Sequence, residues 1–320
     1  MSLALVFLAY AVVATIVVLV SVKASDYVDL LDKKTNLSGA FIGGVMLSAV
    51  TSLPELFTSI SSCVLVHEPG LCMGNILGSN LFNVAMLSVV LLIAHKSFKD
   101  GKIAVSHGTV SLIVAAIYGV LALELFGVIP KEILTISLTS VLIALLYFIG
   151  VKNMSGDDSV TSEEEDTSPL TVKQIIPRFI LVAVGIVVSS IVITYITDEL
   201  SVRLNLGAGL AGALFLGVAT SLPEMASTIA LVRKKNYNIA FGNIVGSNLF
   251  NFFILTVSDI IYTGEGLYGF SDVKNVNLLG FGAISMALMF ILIKYKNKVT
   301  RYLCPVLITV SYLLALIIGG

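Results

Sequence analysis

A five-residue run, Thr-Ser-Leu-Pro-Glu, places an acid and a proline inside an apolar segment long enough to cross a bilayer, and it occurs twice, at Thr51 to Glu55 and Thr220 to Glu224. Each copy is followed by nearly the same decapeptide, GNILGSNLFN from Gly74 to Asn83 and GNIVGSNLFN from Gly242 to Asn251, with nine of ten positions identical. The copies lie 169 residues apart at the glutamates and 168 apart at the last asparagines. Such regular spacing marks a duplicated half, so the fold must give both copies equivalent surroundings.

A chain of 320 residues that is 57% hydrophobic and 12% charged cannot enclose its apolar side chains in one soluble core. It reads as an all-α integral membrane protein, because its uncharged runs reach the roughly 20 residues that a helix needs to span the hydrocarbon. The partner this implies is the lipid bilayer. A net charge of −1 gives no surface for a polyanion, so no nucleic acid is expected, and nothing asks for an obligate protein partner. The three cysteines lack CxxC spacing, and Cys63 and Cys72, on either side of the His67-Glu68-Pro69-Gly70 turn, are read as free thiols. The first apolar run has no basic leader region and no small-residue cleavage site before Lys23, so it is read as a retained span.

Hydropathy predicts ten transmembrane helices, at about 2–22, 37–66, 70–95, 104–125, 130–150, 174–196, 205–232, 237–261, 276–294 and 302–319. Five fall in each half, residues 1–150 and 172–320. An odd number per half turns the second half over, which gives two inverted five-helix repeats. With the N-terminus outside, all of the 19 Lys and Arg except Lys131, Arg203 and Lys274 fall in cytoplasmic loops. The positive-inside rule therefore predicts that both termini face outward from a cell membrane. The joining stretch, 151–171, carries Asp157, Asp158, Glu163, Glu164, Glu165 and Asp166, has no EF-hand spacing, and reads as a solvated cytoplasmic linker.

A carboxylate at mid-membrane costs roughly 2.5–3.5 kcal/mol unless it meets a partner or water, so Glu55 and Glu224 are functional candidates. Pro54 and Pro223 lack the N–H that would bond the carbonyls of Val50 and Ala219, which predicts a break in each helix beside the acid. Helical spacing puts Thr51 with Glu55 and Ser48 with Ser52, and Ser59 extends that face. On the next span Asn75, Ser79 and Asn83 form an oxygen-rich stripe that Asn243, Ser247 and Asn251 repeat, while Gly74, Gly78, Gly242 and Gly246 permit close helix approach. Glu124 and Asp259 lie at span ends and are expected to meet water. Glycine, serine and asparagine at this spacing also make ordinary helix-packing seams, but packing requires no buried acid, let alone two at equivalent places. Two antiparallel copies would enclose one midplane cage of hard oxygen donors, which suits Ca²⁺ or Na⁺ over copper, zinc or iron. Its two negative charges balance one Ca²⁺ or two monovalent ions, so competition is a basis for exchange.

On these residues the chain resembles the calcium/cation antiporter superfamily, most closely its sodium/calcium exchanger branch, whose two repeats read GTSLPE followed by GNxxGSN. The resemblance implies an alternating-access antiporter, not an enzyme, with no prosthetic group and with Ca²⁺ and Na⁺ as cargo. It implies that Glu55 and Glu224 pair on calcium with main-chain oxygens of Thr51 and Thr220. Ser52, Ser79, Ser221 and Ser247, with the carbonyls of Ser48 and Gly217, would line sodium positions, and Asn83 and Asn251 would complete the centre. Leu3 to Val22 and about Gln174 to Thr197 would be the helix pair that slides to open the site. Val50 and Ala219 replace the glycine that usually precedes Thr-Ser. Asn251 stands where potassium-dependent relatives carry Asp, which argues against potassium as cargo. The GN-x-x-E motif of the proton/calcium branch is absent; exchange of calcium for protons is the alternative.

Two further classes are weighed. A cation channel needs a continuous polar path, whereas the paired broken helices converge on one closed cage. An HExxH metalloenzyme needs a second histidine, and His67-Glu68 is followed by Pro69, Gly70 and Leu71.

Overall fold

The computed structural model describes every residue except 1, 36, 65–66, 68, 100, 130–135, 158–167, 205–217, 263–266, 269–272, 296 and 320. Among the described residues the fold is all-helical, without a β-strand. Among the described residues, eight helices are long and apolar enough to cross a membrane, and a bent pair makes a ninth. The expected span at 205–232 falls partly outside the described residues, and its remainder is helical at 218–220 and Leu222–Arg233.

In chain order the longer helices are α1 (Leu3–Lys34), α2 (Gly39–Thr51), α3 (Leu53–Val64), α4 (Pro69–Ile93), α5 (Val105–Leu125) and α6 (Leu138–Ser155). They continue as α7 (Val172–Arg203), α8 (Leu222–Arg233), α9 (Tyr237–Ile261), α10 (Val273–Tyr295) and α11 (Lys298–Gly319). Most boundaries match the hydropathy reading within a few residues. Helix α1 departs from it and runs 32 residues, because Asp26 and Asp29 on its last turns pair with Lys234 at 2.7 and 3.5 Å and reward continued winding. The α6 helix begins at Leu138, where Ser137 caps it, and it runs to Ser155, so the first residues assigned to the linker are helical.

The expected break is present at the first motif copy. α2 and α3 meet at 44°, with Ser52 between them at φ −92°, ψ 6°. A new helix starts at Leu53, and its first turn holds Pro54 and Glu55. Proline is tolerated there because the N–H it lacks has no acceptor in a first turn, and an acid is favoured there by the helix dipole. Ser221 has nearly the same dihedrals, φ −90°, ψ 9°, and α8 likewise opens with Pro223 and Glu224.

The two decapeptides lie on α4 and α9, the most enclosed of the long helices. α9 is the hub and packs on α2, α3, α4, α5, α6 and α8. Its contact with α2 is backbone to backbone: a Cβ on Gly246 would fall onto the Gly44 main chain, and one on Gly242 would lie 2.9 Å from the Gly44 nitrogen. A π-helical turn at Ile42–Leu47 carries Gly43 and Gly44 into this seam. On α4, a Cβ at Gly74 would meet the Asn275 side chain at 3.0 Å. Residues 205–217, the sequence equivalent of the α2 face that α9 meets, lie outside the described residues.

Long helices α1 and α7 pack along each other. They also cross the broken helices: α1 lies against α8, with Val17 beside Ala219 and Leu222, and α7 lies against α2 and α3. Much of their remaining surface is apolar and exposed, including Leu8, Leu19, Leu181 and Val188.

Candidate functional site

Both carboxylates are fully buried where the two motif copies meet. Each is held by the other copy's serine. Ser52 Oγ donates to Glu224 Oε1 at 2.9 Å, and Ser221 Oγ donates to Glu55 Oε1 at 3.0 Å. Each also faces the serine of the decapeptide in its own half, at the long end of hydrogen bonding: Ser79 Oγ to Glu55 Oε1 at 3.4 Å and Ser247 Oγ to Glu224 Oε1 at 3.5 Å. The exchange of partners is possible because Ser52 and Ser221 sit at the breaks, where the chain turns toward its counterpart.

The remaining oxygens, Glu55 Oε2 and Glu224 Oε2, are buried without a hydrogen-bond partner among the described residues. So are Asn83 Oδ1 and Asn251 Oδ1, one helical turn beyond Ser79 and Ser247 on the same faces. Among the described residues no Lys, Arg or His lies at ion-pair distance from either glutamate. Two buried carboxylates with one oxygen each left open are costly unless a cation completes them. All the converging donors are oxygens, the chemistry of a hard cation.

The surrounding polar residues brace the breaks. Asn75 Nδ2 donates to Ser59 Oγ at 3.0 Å and to the Glu55 carbonyl at 3.4 Å, and Asn243 Nδ2 donates to Ser227 Oγ at 3.0 Å and to Thr228 Oγ1 at 3.1 Å. Thr51 Oγ1 bonds the Ser48 carbonyl and Asn243 Oδ1, both at 3.3 Å. The Ser48 carbonyl also accepts from the Ser52 N–H at 3.0 Å. Thr220 is fully buried, and Gly217 lies outside the described residues.

Two residues that motif reading passes over are part of this network. Asn80 and Asn248, fully buried, bond each other's backbone and the side chains of Asn251 and Asn83. Their presence in both near-identical decapeptides is the signal that could have found them. Two other residues correct an expectation: Asp259 accepts from the Ser137 N–H at 2.9 Å and Glu124 from Thr139 Oγ1, so both fasten the start of α6 rather than simply meeting water. Cys63 and Cys72 are free thiols, both buried.

A family model described as sodium/calcium exchanger protein matches residues 2–152 and 175–318. The chain belongs to this family. Among its relatives, the sodium/calcium exchanger MaX1 of Methanosarcina acetivorans is 24% identical over 295 residues, covering 75% of this chain and 80% of that protein. The inner membrane protein YrbG of Escherichia coli (strain K12) is 26% identical over 232 residues, covering 70% of each. A structure of the sodium-calcium exchanger NCX_Mj, soaked with Na⁺ and Sr²⁺, superposes with a TM-score of 0.74 at 19% identity and covers 98% of both chains. The exchanger fold thus extends over nearly the whole chain, and the protein is a membrane transporter of the exchanger family, not a member of an enzyme class.

Proposed function

We propose that this protein is an antiporter that exchanges Ca²⁺ for Na⁺ by alternating access, with both ions competing for the cage around Glu55 and Glu224. One observation carries the reading. Two buried carboxylates, each with one oxygen tied by the opposite copy's serine and one left open, leave a site whose negative charge only a cation can balance.

In this reading Ca²⁺ binds between Glu55 and Glu224 with Thr51 and Thr220, while Na⁺ occupies flanking positions made by Ser52, Ser79, Ser221 and Ser247 with the Ser48 and Gly217 carbonyls. Asn83 and Asn251 supply neutral oxygens at the centre. One divalent ion, or two monovalent ions, neutralises the pair of acids, so loading one cargo expels the other. Residues 1–150 and 172–320 act as inverted repeats in the cell membrane, joined by a cytoplasmic linker, with both termini outside. The reciprocal Ser–Glu bonds support this symmetry. α1 and α7 slide across the broken helices they cover and expose the cage to one side at a time.

The test is calcium-45 uptake into sodium-loaded proteoliposomes, with and without a pH gradient. Uptake should collapse when the sodium gradient is removed and be unmoved by the pH gradient or by potassium. Uptake that follows the pH gradient alone would establish protons as the counter-ion.

A further inference from the structure

Neither Asn80 nor Asn248 touches the carboxylates, yet the bonds of each leave no freedom in how its amide is turned. Asn80 Nδ2 donates to the main-chain carbonyl of Asn248 at 3.3 Å, and Asn248 Nδ2 donates to the main-chain carbonyl of Asn80 at 3.0 Å. A carbonyl oxygen only accepts, so these two bonds identify the nitrogen end of each side chain. The oxygen ends must then receive the next pair. Asn80 Oδ1 accepts from Asn251 Nδ2 at 2.9 Å, and Asn248 Oδ1 accepts from Asn83 Nδ2 at 3.2 Å. With their nitrogens held there, Asn83 and Asn251 have their oxygens on the other side, where both are buried without a partner among the described residues.

We propose that Asn80 and Asn248 are positioning residues that orient the amides of Asn251 and Asn83, so that oxygen rather than N–H₂ faces the transported cation. The proposal rests on the cage reading above and deepens it. A reversed amide would point donor hydrogens at a cation and remove one ligand. The control is reciprocal: a first-half asparagine sets the second-half ligand and the reverse, so both halves of the cage are oriented through the α4–α9 contact.

The test measures calcium-45 binding to purified protein. Asn80→Leu should weaken calcium binding about 10–100-fold, the range for loss of a partner that orients a metal ligand, while the elution profile stays that of the wild type. Asn251→Asp is the second arm, because a carboxylate presents oxygen whichever way it turns. It should recover about tenfold in the Asn80→Leu background and gain clearly less in the otherwise unchanged chain, where it sets an acceptor against Asn80 Oδ1. A purely structural role for Asn80 does not produce that rescue. Equal gains in the two backgrounds, or wild-type binding by Asn80→Leu, would overturn the proposal. Where Asn80→Leu does not fold, Asn80→Ser takes its place with the same expected direction and the same overturning results. A wild-type protein that binds no calcium would instead remove the cage reading, and this inference with it.

Discussion

Ser52 and Glu224, far apart in the chain, share a hydrogen bond of 2.9 Å in the centre of the protein, and Ser221 and Glu55 repeat it at 3.0 Å. The pairing ties the two halves together at the residues that carry charge. Each acid is therefore positioned by a helix break that is not its own.

Glu55→Gln removes one charge and keeps the volume, which leaves a single carboxylate facing a divalent ion. Losing one partner of a buried ion pair costs about 3–5 kcal/mol, so calcium affinity should fall roughly a hundredfold or more. Glu224→Gln should do the same, and the double variant should add little because one cage is already disabled. Calcium-dependent thermal stabilisation in detergent reads all three; near-wild-type stabilisation in either single variant would contradict the shared site.

Ser52→Ala and Ser221→Ala each take a hydroxyl from a buried carboxylate. A hydrogen bond to a charged group contributes about 1.5–3 kcal/mol, so cation affinity should change about 10–100-fold, by similar amounts in the two variants. Ser62→Ala removes a hydroxyl that, among the described residues, bonds only the Thr58 carbonyl, and it should leave binding unchanged. Isothermal titration with calcium distinguishes the three, and a Ser52→Ala protein that behaves like Ser62→Ala would refute the role of the crossed bond.

Gly246→Ala drives a methyl group into the Gly44 backbone. Backbone cannot move aside as a side chain can, so the cost should reach about 1–3 kcal/mol. The melting temperature of the ion-free protein should fall, in contrast to substitutions at the Gly70 position, where a Cβ meets nothing within 4 Å among the described residues. Unchanged melting would show that α2 and α9 separate at no cost.

Lys234→Met cuts the ion pairs that fasten the end of α1 to the α8–α9 corner. Such partly exposed pairs contribute about 0.2–1 kcal/mol each, so losing both should shift the exchange rate by no more than about thirtyfold, with calcium affinity unaltered. Faster deuterium uptake in residues 26–34 is the direct readout. No change in uptake there would mean that α1 is held by its packing alone.

The breaks at Ser52 and Ser221 were legible because a proline within an apolar helix has a local consequence: Pro54 and Pro223 remove a particular N–H, and the helix restarts just before each of them. The extent of α1 was not, because its last turns are polar and are supported by Lys234 and Asn236, some two hundred residues away. Glu124 and Asp259 were misread for a related reason. Their position at helix ends suggests water, and only the arrival of Ser137 and Thr139 from another helix supplies the donors.

The sequence by itself determined that the chain lives in a membrane, that it is built from a duplicated half, and that two acids stand beside two breaks, since each follows from composition, identity or the lost N–H of proline. Periodicity along one helix says which side chains share a face, and it correctly groups Ser79 with Asn83 and Ser247 with Asn251. It says nothing of which face lies opposite. Only the tertiary structure decided that Ser52 serves Glu224 rather than its neighbour Glu55, that Gly246 rests on Gly44, and that Asn80 and Asn248 fix each other's amides, because these depend on how two distant helices are docked.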